Sequence, residues 1–136
     1  MTRIAARNAA LQLLYENMMG GVGGLETVSG LLELTPDDDA QSYLDDVLTG
    51  VRRESDALDE RITRYLVDWT IDRLARVDLA ILRLAVYELS FRNDIPTPVS
   101  INAAVDLAHT FSTPEAASFI NGVLGSLVRE EGLEKD

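Results

Sequence analysis

The chain has 136 residues, of which 46% are hydrophobic and 26% are charged, as in an ordinary soluble globular domain. It contains no cysteine, which excludes disulfides, thiolate metal sites and thiol catalysis and fits a reducing compartment. A formal net charge of −11 argues against general affinity for nucleic acids, because phosphate neutralisation is the main source of such affinity.

The sequence shows no targeting or membrane-spanning segment. The N-terminus is basic but lacks the apolar core and cleavage site of a secretory signal. No apolar run approaches the roughly 20 residues that a membrane-spanning helix needs. We therefore expect a cytoplasmic protein that does not enter a membrane, and a single domain over residues 1–136.

The acidity is concentrated in residues 20–60, which hold eleven acidic and two basic side chains. Within this segment, Asp37, Asp38 and Asp39 follow one another directly. Carboxylates at a helix N-terminus interact favourably with the helix dipole. The run is therefore expected to be the solvated start of a helix rather than a calcium site.

Apolar residues recur at helical spacing through the first half of the chain. On an alanine-rich background, the first predicted helix covers residues 2–19 and ends at the glycine-rich run 20–24. A short helix is expected within residues 25–32, and another runs from about 37 to 54. A new start at residues 55–56 predicts a further helix. The apolar residues assigned to the first helix are Ile4, Leu11, Leu14, Tyr15 and Met18.

The second half continues the helical pattern. Residues 71–91 are densely apolar and should form the most buried part, with Asp78 as a candidate start of a fresh helix. Two prolines within residues 93–98 break the pattern, a helix follows over about 101–111, and Pro114 opens the last one. No strand-like alternation persists. The fold class is therefore all-α, with about six to seven helices and halves of about 1–67 and 68–136.

One glycine lies in the middle of the last predicted helix. Gly122 follows Asn121, and glycine in a helix interior costs about 1 kcal/mol relative to alanine. Close approach of another helix would explain its presence. We therefore expect Gly122→Leu to destabilise the domain more than Gly21→Leu, since Gly21 belongs to a connector.

No catalytic or metal-binding arrangement is visible in the sequence. The single histidine, His109, is predicted to face solvent, and one imidazole cannot supply a histidine-based metal cluster. Carboxylate pairs such as Asp45–Asp46 are adjacent on helices, so their side chains point in different directions. The glycines of residues 20–24 lack the strand and the Lys-Ser/Thr of a phosphate loop. We expect neither enzymatic activity nor a cofactor or metal ion.

The most specific motifs lie in the second half of the chain. They read, in order, Ile81-Leu82-Arg83-Leu84-Ala85-Val86-Tyr87-Glu88-Leu89, Ile95-Pro96, Val99, Ile101-Asn102, Ala104-Val105, Leu107-Ala108 and Phe119-Ile120-Asn121-Gly122-Val123-Leu124. The first helix adds Arg3, Ala6, Arg7, Ala9, Leu11-Gln12 and Leu14-Tyr15. This succession resembles the NusB family of bacterial transcription antitermination factors, and only residues of about 20–40 are generic.

The resemblance implies a domain of two antiparallel helical bundles that binds boxA-type RNA of ribosomal RNA operons together with ribosomal protein S10. Such a complex joins RNA polymerase and suppresses premature termination. By the same resemblance, the residues expected to contact RNA are Arg3, Arg7, Glu115 and Phe119. Those expected to contact S10 are Tyr15, Asp72 and Asp78. The resemblance leaves the free protein open as a monomer or a homodimer.

The chain departs from the family pattern at its N-terminus. Family members often cluster three or more basic residues there, whereas Ile4 and Ala5 separate Arg3 from Arg7 in this chain. Two arginines neutralise few phosphates, so we expect weak RNA binding by the chain alone and stronger binding with S10.

Other interpretations fit parts of the same sequence. An acidic helical module could bind a basic protein or a second copy of itself without binding RNA, and the low basic count favours this alternative. The RNA-binding attachment of a ribosomal RNA cytosine methyltransferase is less expected, because 136 residues leave no room for a catalytic domain. A small helical enzyme has only scattered carboxylates in its favour. Without the resemblance, Arg3 and Arg7 would be expected to be solvated arginines on a helix face, and Asp72 and Asp78 to be helix-start residues. For Tyr15 and Phe119, packing in the core and contact with a partner would be equally expected.

Overall fold

The structure, a computed structural model, describes residues 2–21 and 37–136. These ranges form five α-helices and one short 3-10 helix, without a strand among the described residues. In chain order the elements are α1 (Arg3–Met18), α2 (Asp38–Thr63), the 3-10 helix (Ile71–Arg73), α3 (Arg76–Phe91), α4 (Thr97–Phe111) and α5 (Pro114–Glu131). The all-α class is confirmed. The short helix expected within residues 25–32 lies outside the described residues.

The helix α2 is longer than the sequence pattern predicts. The expected break at residues 55–56 is wrong, because one helix runs from Asp38 to Thr63. Ser55 donates its hydroxyl to the carbonyl oxygen of Val51 at 2.7 Å, so its polar side chain is satisfied within the helix. The serine that resembles a helix start therefore does not interrupt α2.

Side chains cap three of the helices at their first turn. Thr2 accepts a hydrogen bond from the Ala5 amide at the start of α1, and Asp37 accepts one from Ala40 at the start of α2. Thr113 does the same at the start of α5, where Pro114 takes the first helical position. The acidic run therefore begins with a helix cap.

The start of α3 differs from the expected one. Residues 74 and 75 are extended between the 3-10 helix and α3, so the apolar segment 71–91 is two elements. A fresh helix does begin there, but Ala75 occupies the cap position and Asp78 lies in the first turn. Arg76 holds this bend by donating to the carbonyl oxygens of Ile71 and Leu74 at 3.0 and 3.2 Å.

The helix α3 lies at the centre of the packing. Ten of its sixteen residues are buried, and it contacts each of the other four helices. This confirms that the densely apolar segment supplies the most buried helix. The position of α3 therefore determines how α1, α2, α4 and α5 are arranged around it.

A buried ion pair joins α1 to α3. Arg7 is 6% exposed and Glu88 is 2% exposed, and the Nε and Nη2 atoms of Arg7 each donate to a carboxylate oxygen of Glu88 at 3.0 Å. Burial opposes the charge of Arg7, but the hydrogen bonds and charge of Glu88 raise its pKa overall. The two-pronged geometry is the strongest form of such a pair.

Glu88 also accepts hydrogen bonds from two further helices. The hydroxyl of Tyr43 in α2 donates to Oε2, and the hydroxyl of Ser100 in α4 donates to Oε1 at 3.0 Å. Burial, followed by the charge and hydrogen bond of Glu88, raises the pKa of Tyr43, so this phenol stays protonated and remains a donor. One carboxylate of α3 therefore orients α1, α2 and α4.

The closely packed glycine is Gly50 and not Gly122. A Cβ on Gly50 would overlap the ring of Tyr87, whose hydroxyl donates to Asp46 at 2.6 Å. Gly122 lies on the exposed face of α5, where a Cβ would meet no atom within 4 Å. The close approach expected at Gly122 is therefore wrong. Of Gly21 and Gly122, Gly21 is the more crowded, because a Cβ there would lie 3.1 Å from the Glu16 carbonyl oxygen.

We predict opposite effects for alanine at two helical glycines. Gly50→Ala should lower the free energy of unfolding by about 1–3 kcal/mol, because the new methyl group displaces the Tyr87 ring. Gly122→Ala should raise it by up to about 1 kcal/mol, because alanine is the better helix former and the site is open. Urea denaturation of both variants measures the difference. A Gly50→Ala variant as stable as wild type would contradict the packing.

The buried ion pair predicts a non-additive double variant. Arg7→Met and Glu88→Gln should each cost about 3 kcal/mol, since each leaves an uncompensated buried partner. The double variant should lose less than the sum, because neither charge remains. Arg53→Met is the matched control, since it breaks the exposed pair between Arg53 and Glu54 and should leave the urea midpoint unchanged. Additive losses in the double variant would show that the pair is not coupled.

Candidate functional site

The seven residues expected to make contacts fall into two regions. The helix α1 carries Arg3, Arg7 and Tyr15. The 3-10 helix and the N-terminal turns of α3 and α5 carry Asp72, Asp78, Glu115 and Phe119.

Arg3 lies at the start of α1 with one side packed and the other open. Its guanidinium carbon is 4.5 Å from the centroid of the Tyr43 ring, within the range of a cation-π contact. Its Nη2 atom donates to the Oδ2 atom of Asp39 at 3.2 Å. The Nε atom is buried and has no hydrogen-bond partner among the described residues. The side chain is therefore oriented by α2 and is 26% exposed.

Arg7 lies one turn further along the same face of α1, and its guanidinium carbon is 5.9 Å from the centroid of the same Tyr43 ring. Its guanidinium is buried against Glu88, so it fixes α1 on α3 and does not present donors to solvent. The direct RNA contact expected at Arg7 gains no support from this position. No local sequence pattern predicts the Arg7–Glu88 pair, because the two residues are 81 positions apart.

A groove of about 320 Å³ runs between α1 and α4, and Arg7 is one of its lining residues. Ile4 stands at its edge and is 71% exposed, so it does not belong to the buried stripe assigned to the first helix. Exposed Val99 and Asn102 line the side formed by α4. In the sequence both residues belong to the second-half motifs, and helical periodicity alone does not predict their exposure beside α1.

The second region is a cleft of about 350 Å³ that includes three of the expected residues. Asp78 at the start of α3 lies across from Glu115 and Phe119 at the start of α5. One carboxylate oxygen of Asp78 is buried and has no hydrogen-bond partner among the described residues. Asp78 therefore lines the cleft as a residue, while this one oxygen lies beneath its surface.

Two residues that sequence reasoning missed also line this cleft. Trp69 is 50% exposed, and Arg73 lies beside it on the 3-10 helix. Asp68, with φ at 63°, precedes the tryptophan in the left-handed region and turns the chain there. The one signal in the sequence was a lone tryptophan outside any helical stripe.

The remaining expected residues lie outside the cleft. Asp72 is exposed on the 3-10 helix, and hydrogen bonding from Thr70 lowers its pKa, so it is a carboxylate at neutral pH. Tyr15 is exposed on α1 and lines neither the groove nor the cleft. The structure therefore brings Asp78, Glu115 and Phe119 together but does not join them to Tyr15.

The described residues hold no group of three or more histidine, aspartate or glutamate side chains arranged to bind a metal ion. His109 is exposed, as expected. In the same part of the chain, no helix has the length and apolar character needed to cross a membrane. The groove includes Arg7, and the cleft includes Asp78, Glu115 and Phe119, all of which are expected to make contacts.

Comparison with known proteins shows what this arrangement resembles. The model of the NusB family matches residues 4–129. The transcription antitermination protein NusB of Bacillus subtilis is 39% identical over 127 residues, which cover 93% of this chain and 95% of the relative. The NusB protein of Acetivibrio thermocellus is 38% identical over 137 residues, covering 100% of this chain and 94% of the relative.

Solved structures agree with the sequence comparisons. The structure of T. maritima NusB has a TM-score of 0.85 at 31% identity, and the match covers 96% of this chain and 92% of that one. A chain in the crystal structure of the antitermination factors NusB and NusE in complex with double-stranded RNA has a TM-score of 0.80 at 29% identity, covering 96% and 99%. Since sequence, fold and chain length all agree, this chain belongs to the NusB family.

Proposed function

We propose that the chain is a transcription antitermination adaptor that binds boxA-type RNA of ribosomal RNA operons together with ribosomal protein S10. The observation that carries this proposal is the agreement with a NusB chain solved together with NusE, which is ribosomal protein S10, and RNA. The complex would act on RNA polymerase in the cytoplasm. Residues 1–136 would form a single domain, because one cluster of buried side chains draws on all five helices.

The RNA face would begin at the N-terminus of α1. Arg3 is held over the Tyr43 ring with its outer edge towards solvent, so a phosphate could approach without rearranging the core. Arg7 would act indirectly by fixing α1 on Glu88. With a single partly exposed arginine on α1, the electrostatic gain from RNA is small, and a net charge of −11 opposes it. Weak binding by the chain alone follows.

The cleft between the 3-10 helix and α5 would receive S10 and RNA side by side. The half-buried carboxylate of Asp78 that lines the cleft would attract a basic side chain of S10, and exposed Asp72 on the 3-10 helix adds a second carboxylate. Trp69 and Phe119 offer ring surfaces on which splayed bases could stack. S10 docked here would offset the local negative charge of the cleft and thereby favour the binding of RNA.

A second candidate function is protein binding by the same fold, with no binding of RNA. Of the two arginines in α1, Arg3 is paired with Asp39 and Arg7 is buried with Glu88, so neither is an unengaged cation. This favours an acidic module that binds a basic protein or a second copy of itself. The titration below separates the two functions, because this module would bind S10 and leave boxA RNA unbound.

We predict that replacements in the two regions have different effects. Arg3→Ala should weaken binding of boxA RNA by the chain with S10 by about 3- to 10-fold, because one charge-assisted contact is lost. It should leave S10 binding in RNA-free buffer unchanged. Asp78→Asn should have the opposite pattern and weaken the binding of S10 more than the binding of RNA. Titration of labelled RNA and of S10 measures both effects, with Arg64→Ala as a control at an exposed arginine that follows the C-terminal end of α2.

These outcomes decide between the candidates. No RNA binding by the wild-type chain with S10, at low salt, would overturn the proposed function. Equal RNA binding by wild type and the Arg3→Ala variant would show that the RNA face does not lie on α1. Equal S10 binding by wild type and the Asp78→Asn variant would remove S10 from the cleft.

The two aromatic residues that line the cleft, exposed Trp69 and half-buried Phe119, give a further prediction. Trp69→Ala and Phe119→Ala should each weaken RNA binding by the complex with S10 by at least about fivefold, because base stacking contributes about 1–3 kcal/mol per base. Val67→Ala is the control, since Val67 is an exposed apolar residue near Trp69. Fluorescence of Trp69, the one tryptophan of the chain, should change when RNA is added to the complex. Unchanged affinity in both aromatic variants would contradict stacking in the cleft.

A further inference from the structure

The cation of Arg3 lies between two partners of different kinds. On one side the Tyr43 ring is 4.5 Å from the guanidinium carbon, and the tyrosine is buried and hydrogen-bonded to Glu88. On the other side Asp39 accepts from the Nη2 atom of Arg3, with distances of 3.4 Å to Oδ1 and 3.2 Å to Oδ2. The aromatic partner is part of the core, whereas the carboxylate is on the surface.

Asp39 is free to exchange its partner without disturbing the fold. Its side chain is 78% exposed, and it lies in the first turn of α2, where Asp37 and not Asp39 caps the helix. Exposed ion pairs of this kind contribute little to stability, because water competes for both charges. The Arg3–Asp39 contact can therefore open while Tyr43 keeps the arginine in place.

An aspartate carboxylate and an RNA phosphate present the same chemistry to a guanidinium. Both offer anionic oxygens that accept charge-assisted hydrogen bonds from arginine. A phosphate that reached the exposed edge of Arg3 would meet Asp39 already bound there. Both anions cannot lie against that edge without repelling each other, so one must leave.

We propose that Asp39 is an internal counter-ion that competes with RNA phosphate for Arg3 and thereby lowers the RNA affinity of this chain. The inference rests on the proposed function, since it concerns the RNA face of α1. It identifies a specific cause of weak binding beyond the net charge of the whole molecule. Asp38 lies next to Asp39 and carries the same charge, but it makes none of the ion pairs found among the described residues.

The test compares two neighbouring aspartates. Asp39→Asn should tighten binding of boxA RNA, in the presence of S10, by about threefold to fivefold relative to wild type, which is the scale of an exposed ion pair. Asp38→Asn removes the same charge from the same helical turn and should tighten binding by less than about twofold. In an Arg3→Ala background the two variants should bind equally, because the cation for which Asp39 competes is absent.

Each outcome has a distinct meaning. Equal affinities of the Asp38→Asn and Asp39→Asn variants would overturn the inference and leave the proposed function standing. An advantage of Asp39→Asn that persists in the Arg3→Ala background would also overturn it, because the effect would not pass through Arg3. If neither wild type nor the Asp39→Asn variant binds boxA RNA with S10 at low salt, the proposed function fails and the inference fails with it.

Discussion

The buried carboxylate of Glu88, paired with Arg7, is the constraint on which the arrangement of this domain depends. A buried charge is costly unless hydrogen-bond donors and an opposite charge surround it, and here the donors come from three other helices. Arg7 in α1, Tyr43 in α2 and Ser100 in α4 all donate to it. Apolar packing alone tolerates shifts of a helix along its neighbour, whereas these directional contacts define one position for each helix.

The position of the proposed RNA face follows from this buried cluster. Because Arg7 turns inward to Glu88, the residue one turn earlier, Arg3, is directed over the Tyr43 ring at the surface. The same tyrosine binds Glu88 with its hydroxyl. Tyr43 therefore contacts both the buried carboxylate of Glu88 and the surface cation of Arg3. The acidic first turn of α2 lies against this cation, and this contact is the local reason for which we expect the chain alone to bind RNA weakly.

The sequence allowed the helices to be predicted far better than the contacts between them. Helical periodicity and the prolines near residues 96 and 114 placed most helix ends, because these signals are local. The Arg7–Glu88 pair, the fit of Gly50 to Tyr87 and the exposure of Trp69 depend on residues that are distant in sequence. No periodic pattern contains them.

Two predictions from the sequence failed for related physical reasons. A glycine in a helix can accommodate a neighbour, as Gly50 does, or simply face solvent, as Gly122 does, and the residue type does not distinguish the two. Ser55 looks like a helix start, but its hydroxyl bonds to its own helix. In both cases the local signal was ambiguous, and tertiary packing decided the outcome. The same ambiguity applies to the sites expected on α1. Arg3 and Arg7 have the same side chain, but Arg3 is partly exposed and Arg7 is buried.

The most direct test of this account is amide hydrogen exchange of the Glu88→Gln variant, compared with wild type and with Gly50→Ala. If Glu88 docks α1, the variant should lose protection in α1 to a greater extent than in α5, whereas Gly50→Ala, which disturbs the contact of α2 with α3, should not single out α1. Protection of α1 that stays at the wild-type level in the Glu88→Gln variant would contradict the central role of this carboxylate.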